Sequence, residues 1–368
     1  MPESPTRVFR LWRDVIVTTL PDWGSGQFDE LCAAAEQEPL GGPASEAVPM
    51  PSSGSHMIGS RIRAVGAFRP SAVVDNVTLA AGIGPPVDDA WILQRVGISS
   101  RRFATEGETV VTMAVAAAEK AIAGADLDRI GAVILATCTL PSPIPNGAAS
   151  VASLLGVPDA AAFDVNAGCS GFCYALTVAD SLIRGATSDQ VLVIGAERLR
   201  DWIDPRDPIT APVFADGAGA VLVEKSGAAD IGPVVWGSNG SLAELIRVQD
   251  WQGRVTMRGR DVYQWATSEL VEVAQRACAR AGLTADDVAA FVPHQANMRM
   301  IDKLAYAIGV HRAVIARDIR DSGNTSSASI PLALDRLRTD HPELSGTPAL
   351  LLGFGAGLTY AAQIVRLP

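Results

Sequence analysis

Ala121-Ile-Ala-Gly-Ala-Asp-Leu-Asp-Arg-Ile-Gly-Ala-Val-Ile134 is answered 158 residues further on (279 − 121) by Ala279-Arg-Ala-Gly-Leu-Thr-Ala-Asp-Asp-Val-Ala-Ala-Phe-Val292, without a gap. Each stretch reads as the end of a helix, a glycine that suits a helix C-cap, an acidic turn and an apolar strand. A second echo follows. Leu154-Leu-Gly-Val and then Phe163-Asp-Val-Asn-Ala-Gly-Cys-Ser-Gly171 correspond to Ala307-Ile-Gly-Val and then Ala316-Arg-Asp-Ile-Arg-Asp-Ser-Gly-Asn-Thr-Ser326. Self-similarity at this scale marks a repeated supersecondary unit. Each unit spells helix, strand, loop, helix, strand, glycine-containing turn, helix, so the fold class is layered α/β.

Working outward, Ile62 to Phe68 alternates like a strand and stops at Arg69-Pro70. Val110 to Ala123 has helical periodicity before Gly124, and Ile130 to Ala136 is an unbroken apolar strand. Ala161–Val165, Gln190–Gly195 and Ala218–Glu224 are further strands, with a helix after Cys169. Ala349 to Val365 is apolar but broken by Gly353, Gly355, Gly357 and Thr359, and reads as buried strand and turn. The halves are therefore drawn at 58–226 and 227–368. Residues 1–57 differ. Two short amphipathic segments, Phe9–Ile16 and Phe28–Glu36, lead into a Pro/Gly/Ser-rich stretch ending in Gly54-Ser55-His56-Met57, the tetrapeptide left by common tag-removal vectors. This segment is read as a mobile N-terminal extension or a vector-derived linker, with a carrier-docking arm as the functional alternative.

The duplication places chemistry. Cys169 and Asn324 fall in equivalent turns, each after a strand and a glycine and each opening a helix. His294 ends the strand equivalent to the one that ends near Ala136. Symmetry brings these strand ends to one crevice, where open sheets bind ligands. A helix N-terminus offers free N–H groups and partial positive charge, which favour a thiolate at Cys169. Cys173, one turn later, reads as a small core residue, as do Cys32, Cys138 and Cys278. His56, His311 and His341 have no comparable company.

Phe163-Asp-Val-Asn-Ala-Gly-Cys-Ser-Gly-Phe172, Val292-Pro-His-Gln-Ala-Asn297, Asp321-Ser-Gly-Asn-Thr-Ser-Ser-Ala-Ser329 and Gly353-Phe-Gly-Ala-Gly-Leu-Thr-Tyr360, in uninterrupted order across about residues 58–368, resemble β-ketoacyl-ACP synthase III of the thiolase superfamily. The resemblance implies an internally duplicated, five-layered α-β-α-β-α thiolase fold, a homodimer, and no metal or organic cofactor. It implies Cys169 as nucleophile, with His294 and Asn324 as neutral donors to the enolate formed when a malonyl group loses CO2. The backbone N–H groups of Cys169 and Ala356, the latter beside Phe354, form its oxyanion hole. The partners implied are malonyl-ACP and an acyl-CoA or acyl-ACP starter. In Trp91-Ile-Leu-Gln-Arg-Val-Gly-Ile98, Trp91 and Arg95 match the entrance Trp and a carrier-docking Arg, and Arg299, after Ala296-Asn297, matches a second. Phe214 and Ile144 match acyl-pocket positions, Ile144 on a proline-stiffened loop, Leu140–Pro145, that in this family reaches the partner subunit. Three positions depart from the family pattern: Pro208 where an Arg stacks on the CoA adenine, Val87 in place of a polar entrance residue, and Arg260 where an Asn meets the pantetheine arm.

Composition sets outer bounds. With 48% hydrophobic and 19% charged residues in 368, the chain is globular. A net charge of −10 repels nucleic-acid phosphates, and an acidic carrier protein needs a local basic patch such as these arginines. Five scattered cysteines make no disulfide framework or zinc site. No secretory leader or membrane span is legible, so the reading is soluble and cytoplasmic. Two rivals remain: a non-condensing acyltransferase passing the Cys-bound acyl group to a hydroxyl or amine, and a non-catalytic partner subunit, against which Cys169 itself argues.

Overall fold

Strand alternation between two apolar faces builds the core of this protein. The computed structural model describes residues 58–368; the readings of 1–57, including Cys32 and His56, lie outside the described residues. The first half contributes β1 (Gly59–Phe68), β2 (Ile130–Ala136), β3 (Ala161–Val165), β4 (Gln190–Arg198) and β5 (Asp216–Ser226), hydrogen-bonded in the order β1-β5-β4-β2-β3. The second contributes β6 (Val235–Ser238), β7 (Ala290–Pro293), β8 (Val314–Ile315), β9 (Pro348–Gly355) and β10 (Thr359–Arg366), in the order β6-β10-β9-β7-β8. Counted within its own half, each sheet runs 1-5-4-2-3. The repeat read from sequence is therefore a repeat of topology.

The helices repeat too. α1 (Val110–Ala121), α2 (Gly147–Leu154) and α3 (Gly171–Arg184) follow the first, second and third strands of one half, and α4 (Gly259–Arg280), α5 (Met298–Ile308) and α6 (Ser329–Asp340) do the same in the other. Along β4, Val191 and Val193 face the middle layer of α3 and α6, while Leu192 and Ile194 face α1 and α2. On β9, Leu351 joins the middle layer, whereas Leu350 and Leu352 pack under α4 and α5. A strand apolar on both faces must be covered on both faces. The result is the five-layered α-β-α-β-α sandwich. The helices end at the C-caps Ile122 and Ala281, and the glycines of the repeat that follow them, Gly124 and Gly282, both lie in the left-handed region at φ +72°, which suits glycine.

Candidate active site

The loop after β3 reaches α3 through Gly168, at φ +52°, and a single 3-10 turn, Gly168–Ser170, that carries Cys169. Gly355 at the end of β9 lies against it: a Cβ there would stand 2.7 Å from the Cys169 N and 2.8 Å from its Cβ. The approach sets the next N–H, that of Ala356, near the nucleophile's own, and both lower the cost of a Cys169 thiolate. These amides, with the Ser326 hydroxyl, favour the thiolate, as the helix-start position implies. Burial outweighs them and pushes the thiol up to about 12, with the Glu197 charge adding to the rise. The resting group is thus a thiol, which needs a proton acceptor when it attacks.

His294 follows β7 and is 2% exposed. Ser329 Oγ accepts the Gln295 N–H at 3.3 Å and sits 2.7 Å from His294 Nδ1. Ser329 thus occupies Nδ1, which leaves Nε2 as the nitrogen free for a ligand. Phe354 fixes the ring from the side, edge to face at 5.2 Å. Asn324 is held by its backbone N–H to Val213 O and by Ala215 N–H to its carbonyl, at 2.9 and 2.8 Å. Its Oδ1 accepts the Ser326 N–H at 2.9 Å, which leaves the amide NH2 as the free end. Asn324 therefore presents an amide donor and His294 its free Nε2.

Burial pushes the His294 imidazole down to about 3. Below about pH 6.5 an unfolded histidine binds a proton that the folded one refuses, so stability is lost as pH falls from 6.5 towards 3. The slope is up to about 1.4 kcal/mol per pH unit. Denaturant melts are expected to show the protein losing about 2 kcal/mol more than His294→Asn between pH 7 and pH 5. Equal losses would contradict a neutral buried imidazole.

Cys169, His294 and Asn324 line one cavity of about 580 Å³, together with Trp91, Arg95, Phe214, Ala296, Phe354 and Ala356. Residues from separate motifs of the sequence thus meet in one space. Arg95 is exposed, its guanidinium 4.5 Å above the Trp91 ring, and Pro208 lines the same cavity. Four positions lie outside the cavity lining. Val87 is no entrance residue: it is 6% exposed and packs with Ala80 and Ile92. Arg260 and Arg299 stand exposed outside the lining, where only their neighbours Gly259 and Met300 reach the cavity. Ile144 is 81% exposed and lines nothing within its own chain.

Cys138 also departs from expectation. Cys173 and Cys278 are core residues as read, but Cys138 lines the cavity. Sequence reasoning missed Ser326, Ser329 and Glu197 altogether. The serines lie in the quoted run after Asn324, where only the asparagine was weighed. Glu197 ends the apolar run of β4, and a lone acid closing a buried strand was the available signal.

Residues 163–240 match the family profile described as 3-oxoacyl-[acyl-carrier-protein (ACP)] synthase III, and 278–367 match that of its C-terminal part. The chain is 44% identical over 315 residues to β-ketoacyl-[acyl-carrier-protein] synthase III 4 of Streptomyces coelicolor, covering 84% of this chain and 99% of that one. It is 43% identical to the corresponding synthase of Mycobacteroides abscessus, with 83% and 94% covered. Among solved structures, the priming β-ketosynthase of the R1128 polyketide pathway superposes with a TM-score of 0.82 at 41% identity, covering 84% and 96% of the two chains. The 3-oxoacyl-[acyl-carrier-protein] synthase III of Aquifex aeolicus gives 0.80 at 36%, covering 84% and 100%.

Proposed function

The chain belongs to the 3-oxoacyl-[acyl-carrier-protein] synthase III family, and from that premise we propose how its cavity works. It is a condensing enzyme of the acyltransferase type. Cys169 takes an acyl group from a thioester, the carbonyl oxygen turning towards the N–H groups of Cys169 and Ala356 as negative charge develops on it. Malonyl-ACP then enters. Loss of CO2 leaves an enolate whose oxygen is met by His294 Nε2–H and the Asn324 amide, and its carbon attacks the Cys169 acyl carbonyl. The product is a 3-oxoacyl-ACP that starts a fatty-acid or polyketide chain, and the Cys169 thiol is restored.

The observation that carries this reading is the pairing, in one cavity, of a thiol favoured as thiolate by two backbone N–H groups with the Asn324 amide, whose polarity the Ser326 N–H fixes, and the free Nε2 of a neutral His294. A non-condensing acyltransferase has no use for the second pair. Arg95 on the cavity lining and Arg299 on the surface provide cationic points for an acidic carrier in a protein of net charge −10.

A homodimer paired through the edge of the first sheet is part of the same reading. β3 has one open side, and an unpaired edge strand is a template for a second chain. Ile144 and Leu154, 81% and 63% exposed, flank α2, which packs on that strand. A twofold pairing there accounts for Ile144 as a residue offered to the partner's acyl pocket.

Intact-protein mass after mixing with a panel of acyl-CoA and acyl-ACP donors tests the first half-reaction, and CO2 release on adding malonyl-ACP tests the second. A single acyl adduct is expected, absent in Cys169→Ala; an adduct that persists in that variant removes the nucleophile. Labelling from carrier-bound but not CoA-bound acyl groups would identify Pro208 as the cause of a closed CoA route. Light scattering on the same sample reads the dimer, and a monomer at working concentration would refute it.

A further inference from the structure

Glu197, at the end of β4, is 0% exposed and carries no ion pair with any Lys, Arg or His among the described residues. A buried carboxylate without a cation is costly unless several donors satisfy it. Its Oε2 accepts from Thr139 Oγ1 at 2.6 Å, Thr137 Oγ1 at 3.1 Å and the Cys138 N–H at 3.1 Å. Its Oε1 accepts from Ser327 Oγ at 2.8 Å, Ser326 Oγ at 3.0 Å and the Cys138 thiol at 3.4 Å. One of these donors, Ser326, also lines the cavity with Cys169 and favours its thiolate. Hydroxyl and carboxylate are thus joined at the wall of the cavity that holds the Cys169 thiol.

Ser326 itself is held against its preference. Its φ is +49°, in the left-handed region that non-glycine residues rarely occupy, and Asn324 Oδ1 on its N–H helps to keep it there. Strain of this kind, maintained at a nucleophile, points to a function for the hydroxyl. A competing base in the cavity, His294, is a weak one, because burial pushes its imidazole down to about 3. Arg198, adjacent to Glu197 in sequence, turns to Asp201 at 3.1 Å, so the titratable groups facing the carboxylate are the thiols of Cys169 and Cys138.

We propose that Glu197 is the proton acceptor for Cys169, acting through the hydroxyl of Ser326. This rests on the reading of Cys169 as nucleophile. As the sulfur lone pair forms the bond to the thioester carbon, the thiol proton passes to Ser326 Oγ and the Ser326 proton passes to Glu197 Oε1. The carbonyl π electrons move to the oxygen between the N–H groups of Cys169 and Ala356. When the tetrahedral centre collapses, the bond from carbon to the donor's sulfur breaks, and that sulfur leaves as a thiolate. The proton returns along the same path to the departing sulfur, so Glu197 and Ser326 end as they began.

The test exploits a difference of sign. The Glu197 charge raises the Cys169 pKa, so if Glu197 acted only through its charge, Glu197→Gln would make the thiol more reactive. As proton acceptor, its loss makes the thiol less reactive. Alkylation of Cys169 by iodoacetamide, mapped by peptide mass from pH 6 to 10, reads the difference. Glu197→Gln is expected to react at least about tenfold more slowly at pH 7, in line with the modest end of general-base effects, and to recover only at alkaline pH. Ser326→Gly removes the hydroxyl while suiting the positive φ, and is expected to show the same loss with an unchanged melting temperature. Alkylation of either variant at or above the wild-type rate at pH 7 overturns the proposal. Cys169→Ala runs alongside: label that persists there, on Cys138 or elsewhere, indicts the nucleophile assignment and leaves the relay out of it.

Discussion

Replacing Asn324 by alanine is expected to cut condensation by about 10²–10³ while Cys169 still loads. The magnitude is that of removing one aimed donor from a developing oxyanion, about 3–4 kcal/mol of transition-state stabilisation. Asn324 qualifies as such a donor because Ser326 N–H occupies its Oδ1 at 2.9 Å, leaving only NH2 for the cavity. The first half-reaction uses the N–H groups of Cys169 and Ala356 instead. Loading is therefore expected to drop by no more than about tenfold, through a Ser326 freed from its partner. Intact mass reads loading, and CO2 release from malonyl-ACP by the pre-loaded enzyme reads condensation. If condensation and loading fall together, Asn324 acts on the acyl-enzyme and the division of labour is wrong. If both survive, it is not a donor in either step.

Only part of this division of labour is legible in the sequence. Each of the three reactive residues announces itself by position: a strand end, a glycine and a helix start recur in both halves, and the recurrence alone brings Cys169, His294 and Asn324 together. β2 is legible to the residue, because an apolar run covered on both faces has sharp ends. Legibility ends where a side chain acts through another side chain. Ser329 holds an imidazole, Ser326 fixes an amide and hydrogen-bonds a carboxylate, and none of this has a periodicity or spacing of its own. Val87 misleads for the complementary reason. Its position in the family pattern places it at an entrance, but in this chain an apolar residue before the helix Asp89–Arg95 buries itself against Ala80 and Ile92. Ile144 lies beyond the reach of a single chain, since an outward loop gains its meaning only from a second copy.

Gly355→Ala is expected to cost far more in Cys169 loading than in stability. The added carbon would stand 2.7 Å from the Cys169 N, 2.8 Å from its Cβ and 3.1 Å from its Cα, so it meets backbone and not the yielding end of a long side chain. Gly168 faces the same constraint from the other side, a Cβ there falling 3.1 Å from the Ala356 N. The two oxyanion donors thus stand on segments that touch through glycines, and a methyl between them must part the donors. Losing one donor costs about 10²–10³, and displacing the nucleophile by an ångström costs about 10² more. A fall in Cys169 loading of at least about 10³ is expected, against an overpacking cost of about 1–3 kcal/mol in stability. Gly282→Ala supplies the comparison. Its φ of +72° makes alanine strained, at about 1–2 kcal/mol, yet nothing lies within 4 Å of the new carbon. The two variants should melt within a few degrees of one another and differ a thousandfold in loading rate. Similar loading in both would mean that the amides of Cys169 and Ala356 move apart without consequence, and the oxyanion hole would have to be sought elsewhere in the cavity.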